Sequence, residues 1–211
     1  MPENKPKNES EKGSKVLLLT RPICSPWDEA SKNFAYFLAR NIKNIRFGIL
    51  TSGDVSDLGE NVEQIPIYSY PKFDWKTKLE LFNFLRKDKH GFSIFHLLFT
   101  PTRLNSKIFK FFSRIWKVKT IQTVATLRED LYDDGQIRRN IFADRIITYS
   151  DRSKEKLESL GLKNVRRIYP GIDLEKYSPA PKNLATLELF NLNQNDFILT
   201  FLGEYTRLGG V

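Results

Sequence analysis

The chain has 211 residues, and its 34 Lys plus Arg against 25 Asp plus Glu give a formal charge of +9. That length holds at least one full hydrophobic core, no apolar run approaches the roughly 18 residues of a membrane span, and the polar start MPENKPKNESEKGS lacks the apolar segment of a secretory signal. The single Cys24 excludes an internal disulfide, no Cys/His cluster has metal-site spacing, and the positive charge comes without a zinc-finger, RRM or basic-zipper pattern, so a cytoplasmic chain with no metal, no cofactor and no nucleic-acid partner is expected.

Residues 1–14 mix both charge signs with little apolar content and read as a disordered tail. From Lys15 the run KVLLL predicts a strand, RPICSPWDEAS a turn-rich loop, and Ser31 to Ile42 a helix with Phe34, Phe37, Leu38 and Ile42 on one face. RFGIL at 46–50 reads as a second strand, with a further apolar patch at Ile65 to Tyr68. The alternation then repeats: a helix over Lys76 to Arg86, the strand FSIFHLLF, a helix over Asn105 to Trp116 and the strand TIQTVATL. RIITY predicts a strand, Ser153 to Leu160 a helix closed at Gly161, and NVRRIY another short strand.

Short apolar strands alternating with helices pair in parallel through crossovers, so the expected fold is a Rossmann-like, doubly wound α/β sheet over 15–168. The loops that follow Thr20, Thr100 and Leu127 would lie at the ligand-bearing carboxyl edge. PGIDLEKYSPAPKN, with three prolines, interrupts the pattern and marks a crossover over 169–182. A helix over Ala185 to Phe190, the apolar strand FILTFL and the turn GEYTRLGGV follow, so 183–211 are expected to begin a second α/β domain that stops short.

The segment ADRIITYSDRSKEKLESLGLKNVRRIYPGIDLEKYSP, residues 143–179, resembles the signature of glycosyltransferase family 4, retaining enzymes of the two-domain GT-B type. Tyr169 to Asp173 stands at that family's crossover, with Tyr177 and Pro179 at its aromatic and proline positions. FILTFLGEYTRLGGV is similar to the first strand and phosphate loop of the family's donor domain, and RPICSPWDEASKN to the loop after its first strand. The resemblance implies transfer of a sugar from a nucleotide-diphosphate sugar to the hydroxyl of a saccharide or lipid-linked acceptor, with retention, in glycan or glycolipid biosynthesis. It implies also that this half supplies the acceptor side and is inactive alone. The chain departs from the family where Glu204 and Gly209 replace an Arg and a Lys of the phosphate loop, and where Ala125 replaces a His. Those departures fit an alternative, a catalytically inactive descendant that binds a saccharide, lipid or protein.

Candidate residues follow from position and from the resemblance. Ser25 and Asp28 either cap the first helix or meet a ligand at its N-terminus. Glu29, Lys32 and Asn33 match a variant of the family loop and are cleft candidates, as is Arg128 in the charged turn Arg128, Glu129, Asp130 past a central strand. Gly203 and Arg207 are the candidates for the phosphate loop. Gly171, by a positive φ, and Asp173, by bonding nearby backbone, are expected to shape the hinge. Ser150 and Ser153 read as helix caps, and His96 as a core or strand-edge residue rather than a base. RLNSKIFKFFSRIWKVK, residues 103–119, holds six basic residues and no acid among aromatic and aliphatic ones. Lys107, Lys110, Phe111, Arg114 and Trp116 either rest on an anionic membrane as a peripheral contact or belong to a helix whose aromatics pack on the sheet.

Overall fold

The computed structural model describes residues 14–25, 27, 29–67, 75–87, 91–98, 102–175 and 177–200. The chain divides into two compact units between Pro170 and Gly171. In the first, seven strands form one sheet: β1 (Lys15–Ile23), β2 (Arg46–Thr51), β3 (Val62–Pro66), β4 (Phe92–Leu97), β5 (Lys119–Val124), β6 (Arg145–Thr148) and β7 (Val165–Arg167). Their order is β3-β2-β1-β4-β5-β6-β7, and every pairing is parallel. This is the doubly wound α/β sheet that the alternating pattern predicts.

A parallel sheet must be covered on both faces, because each crossover lays a helix against it. The central strand therefore alternates between two cores. Leu17 and Leu19 join Leu50, Ile65, Phe95 and Leu97 beneath α2 (Trp75–Lys87) and α3 (Arg103–Ile115), which contribute Leu81, Leu85 and Phe109. Val16, Leu18 and Ile23 join Phe47 and Ile49 on the opposite face beneath α1 (Ala30–Asn41), which contributes Ala35, Tyr36 and Ala39. Burying each leucine is worth about 2 kcal/mol. A third cluster seats α4 (Asp134–Asn140) and α5 (Asp151–Ser159) through Ile137 and Leu157 on Val124, Ile146 and Val165.

Three elements of the first unit differ from expectation. The first strand runs on to Ile23, through Pro22; its register against β2 shifts between Leu18 and Ile23, an irregularity suited to a residue without an N–H. On α1 the buried stripe is Ala35, Tyr36 and Ala39, with Phe34, Leu38 and Ile42 at its margins and Phe37 exposed. The small Ala35 and Ala39, and not Phe37, sit against the sheet, where they permit close approach. The short α4 escaped the periodicity, since only Ile137 and Asn140 are buried, yet its capping box was written in Asp133 and Gln136.

Gly161 has φ +79°, and the Leu162 N–H donates to the Leu157 carbonyl at 3.1 Å, the expected helix closure. The second unit holds α6 (Leu184–Leu189), capped by Asn183. The strand expected from Phe197 is not formed over 197–200, where Phe197 and Leu199 are exposed; the second unit holds no described strand with which they could form a ladder. Residues 201–202 of that expected strand lie outside the described residues.

Polar side chains tie the layers. The buried Gln122 of β5 accepts from the Phe142 N–H at 3.2 Å and donates to the Asn140 carbonyl at 3.4 Å, and Ser106 of α3 donates to the same carbonyl at 2.6 Å. Replacing Gln122 by Leu leaves the part-buried Phe142 N–H without this acceptor, at a cost of about 1–3 kcal/mol. The expected fall in melting temperature for Gln122→Leu is about 3–10 °C by calorimetry or circular dichroism; an unchanged melting curve would show that this knot does not hold α3 and α4.

Candidate functional site

All seven strands point their carboxyl ends to one edge of the sheet, where ligands of such folds bind. The order reverses at β1, so the loops after β1 and β4 diverge there. Of the loop after β4, residues 99–101 lie outside the described residues, and the loop after β1 is the better defined part of this edge.

That loop is held by the first turn of its own helix. The Lys32 ammonium, buried on α1, donates to the Cys24 carbonyl at 3.4 Å, and the Asn33 amide donates to the Trp27 carbonyl at 3.3 Å. Glu29 stands at the N-cap of α1 with no side-chain cap bond; its carboxylate instead accepts from the Ser31 hydroxyl at 3.1 Å and faces Arg21 at 3.3 Å. Thr20, at 2% exposure, donates to Ser31 at 3.2 Å. The N-cap position falls to Glu29 and not to Ser25, which is exposed in the loop; the expectation for Asp28 lies outside the described residues. The structure brings Glu29, Lys32 and Asn33 together as the loop's own fasteners.

The loop after β5 is closed in a similar way by charge. Arg128 makes a bidentate pair with Asp130 at 2.8 and 2.7 Å, which holds the guanidinium above its ordinary range. Glu129 faces Arg152 at 3.5 Å and Lys156 at 3.9 Å, both on α5, and Lys156 also reaches Asp134 at 2.7 Å, which raises the lysine. Arg128 borders a small apolar hollow lined by Val124, Leu127, Tyr132 and Ile137, with room of about 10 Å³, too little for a sugar. Ser150 caps α5 by accepting from the Ser153 N–H at 3.2 Å, as expected.

An aromatic contact at this edge was not foreseen. Tyr149, just past β6, meets Phe34 of α1 with ring centroids 6.1 Å apart, and partial burial raises its phenol above the ordinary range. Both residues appeared in the sequence only as a strand end and a helix face; nothing in their spacing links positions so far apart. The hydroxyls of Thr51 and Thr148, at the ends of β2 and β6, are buried with no hydrogen-bond partner among the described residues.

On α3, Lys107, Lys110, Phe111 and Arg114 are exposed, as a surface role requires. Trp116 is not: it stacks on Phe112 at 4.9 Å and meets Phe95 edge-on at 6.1 Å, so it packs toward the sheet and leaves the proposed outer face. Gly171 does not adopt a positive φ, so the expected conformational reason for a glycine there is absent, and a Cβ at that position would meet nothing within 4 Å. Asp173 does accept from the Glu175 N–H at 3.1 Å. Gly203 and Arg207, with Glu204 and Gly209, lie outside the described residues. Among the described residues no group of three or more His, Cys, Asp or Glu side chains is placed to hold a metal ion, and no helix is long and apolar enough to cross a membrane.

No family model and no curated protein matches the sequence. The fold does match solved structures of Anabaena HepE. One, in complex with UDP and glucose, aligns at a TM-score of 0.57 and 14% identity over 84% of this chain and 50% of the other. A second, with UDP-glucose, aligns at 0.57 and 15% over 84% and 49%, and a third, with UDP, at 0.54 and 14% over 85% and 50%. The chain spans about half the length of HepE, and at this identity the likeness is one of fold.

Two outcomes follow. Lys32→Met or Asn33→Ala removes one bond to a loop carbonyl, and each should lower stability by about 0.5–1.5 kcal/mol while speeding hydrogen exchange over residues 24–29; unchanged exchange there would show that the loop does not rest on these bonds. His96 is buried beside Thr123 at 2.8 Å, and burial lowers its imidazole to about 4 from the ordinary 6.5. The unfolded chain therefore binds the extra proton first as pH falls. Stability should be full above about pH 6.5 and decline toward about pH 4, by about 3 kcal/mol at most, and His96→Gln should flatten that part of the curve. Denaturant titrations across the window measure the slope; equal slopes in the two proteins would mean that His96 is not the group responsible.

Proposed function

We propose that this chain is the acceptor-side half of a nucleotide-sugar-dependent glycosyltransferase of the GT-B type, which passes a sugar to the hydroxyl of a saccharide or lipid-linked acceptor with retention. The observation that carries the reading is the match of 84% of this chain to half of a protein seen with UDP-glucose. The segment 143–179, whose order and spacing resemble the crossover of glycosyltransferase family 4, supports it independently. The nucleotide sugar is a substrate in this reading, and no metal or prosthetic group is assigned.

In such an enzyme the leaving diphosphate gains charge as the sugar bond breaks, and oriented donors that await that charge lower the barrier. The described half offers the loop after β1 at the N-terminus of α1, where backbone N–H groups and the helix dipole favour an anion or a hydroxyl oxygen. Lys32 and Asn33 would act by fixing that loop's shape, with Arg128 at the neighbouring rim. A second reading, a descendant that binds without turnover, is favoured by Ala125, the exposed residue standing where the family has a histidine.

The test uses the whole gene product that carries these residues, titrated calorimetrically with UDP-glucose, UDP-N-acetylglucosamine and GDP-mannose, followed by an assay for sugar release. Binding with release supports the transferase. Binding of a donor with no release or transfer to any saccharide or lipid acceptor supports the inactive descendant, and no binding of any of the three overturns the transferase and leaves the descendant that binds a saccharide, lipid or protein.

A further inference from the structure

The two helices that cover one face of the sheet carry an outer surface that neither the fold nor the proposed chemistry uses. Their inward residues are Leu81 and Leu85 on α2 and Ser106, Phe109 and Ser113 on α3. Phe82 of α2 stacks on Phe112 of α3 at 5.0 Å, and Phe112 on Trp116 at 4.9 Å, so the pair is locked side by side beneath that surface. On the solvent side stand five large apolar side chains: Trp75 (63% exposed) and Leu79 on α2, and Leu104, Phe111 (60%) and Ile115 on α3. On α3 they recur at i, i+7 and i+11, one stripe along the helix.

Cations are interleaved with that stripe. Lys76 and Arg86 on α2, and Arg103, Lys107, Lys110 and Arg114 on α3 with Lys117 just beyond it, are all exposed. The one acid described on either helix is Glu80, half-buried on α2, and none of the seven cations forms an ion pair with a described residue. Around α5, by contrast, Arg152 and Lys156 both meet Glu129, and Lys156 also meets Asp134.

We propose that the α2–α3 face is a docking surface for an anionic lipid bilayer, with Trp75, Leu79, Leu104, Phe111 and Ile115 entering the headgroup boundary and the flanking Lys and Arg side chains meeting lipid phosphates. An interfacial surface combines apolar side chains, which sink to the acyl boundary, with long cations whose stems lie along it and whose heads stay at phosphate depth. A protein interface would be depleted in lysine at its centre, whereas Lys107 and Lys110 sit among the apolar residues. A nucleic-acid groove would want the cations without exposed leucine and isoleucine. The proposal deepens the acceptor side of the reading above by naming where the chain meets a lipid-borne acceptor. It is measured with vesicles alone, so its failure and the failure of donor binding are separate results.

The full chain is mixed with vesicles of phosphatidylcholine, with and without phosphatidylglycerol, and sedimented at low and high salt. Binding is expected to the anionic vesicles only, to weaken with salt, and to shift tryptophan emission to the blue in a way that Trp75→Phe removes. Phe111→Ser with Ile115→Ser, and separately Lys107→Glu with Lys110→Glu, should each lower the vesicle partition at least about tenfold, given about fivefold per basic residue near the surface. All four positions are exposed, and melting curves of both variants should match the parent. Absence of pelleting with anionic vesicles at low salt overturns the proposal, as does binding that both variants retain. A single-stranded RNA that binds in competition, and is lost with the lysine pair but not with the Phe111 and Ile115 pair, would reassign the face to nucleic acid and overturn it as well.

Discussion

The structure depends on a single requirement at β1: a strand paired in parallel on both sides must bury its two faces at once. Leu17, Leu18 and Leu19 are each essentially inaccessible, yet they belong to different cores, because successive side chains leave a strand on opposite sides. Once that strand is committed, α1 must lie on one face and α2 with α3 on the other. Right-handed crossovers then send β2 and β3 to one side and β4 to β7 to the other. The reversal of direction at β1 is what opens the carboxyl edge between the loops after β1 and β4. A polar residue at position 17 or 18 would thus damage both the core and the placement of that edge.

Around this apolar frame the chain uses side-chain amides and carboxylates where backbone ladders end. Asn61 donates to the carbonyls of Ile42 and Ile45 at 2.9 and 2.8 Å, joining the end of α1 to the start of β2. Gln64 exchanges two 2.8 Å bonds with the backbone of Val55, pairing a loop to β3 as a strand would. Asp144 accepts from the Thr120 N–H at 2.8 Å and hydroxyl at 2.9 Å, fixing the entry of β6 beside β5. Buried or half-buried backbone groups at loop ends are costly when unpaired, and these side chains supply the partners that regular structure does not.

The strands and long helices were legible because their signals are local. Runs such as KVLLL and FSIFHLLF, and the helical spacing of 76–86 and 105–116, report burial directly through the side-chain period. The capping of α5 by Ser150 and its closure at Gly161 were legible for the same reason. What the sequence did not show depends on contacts between distant residues. For Trp116 the sequence left a membrane-facing and a sheet-packed reading open, and its stacking on Phe112 and contact with Phe95, set by how α3 sits on β4, decide for the second. The meeting of Phe34 with Tyr149 and the knot of Gln122, Asn140 and Ser106 are likewise products of topology. The extension of β1 through Pro22 was hidden because a proline ordinarily argues against a central strand; here the register against β2 shifts between Leu18 and Ile23.

The same distinction separates the candidate site residues by what they are free to do. Lys32 and Arg128 were equivalent in the sequence, each a cation near the carboxyl end of a strand. In the structure Lys32 is buried and tied to the Cys24 carbonyl, so turning it toward a ligand would open the loop and withdraw a charge from its place in the fold. Arg128 is partly exposed and paired with a carboxylate two residues away, in a turn that reaches solvent. Exposed pairs of this kind contribute little to stability, and an incoming phosphate can compete for the guanidinium with the same bidentate geometry that Asp130 uses. Lys32 is therefore a fastener of the loop after β1, whereas Arg128 is a positive charge at this edge that a ligand can recruit.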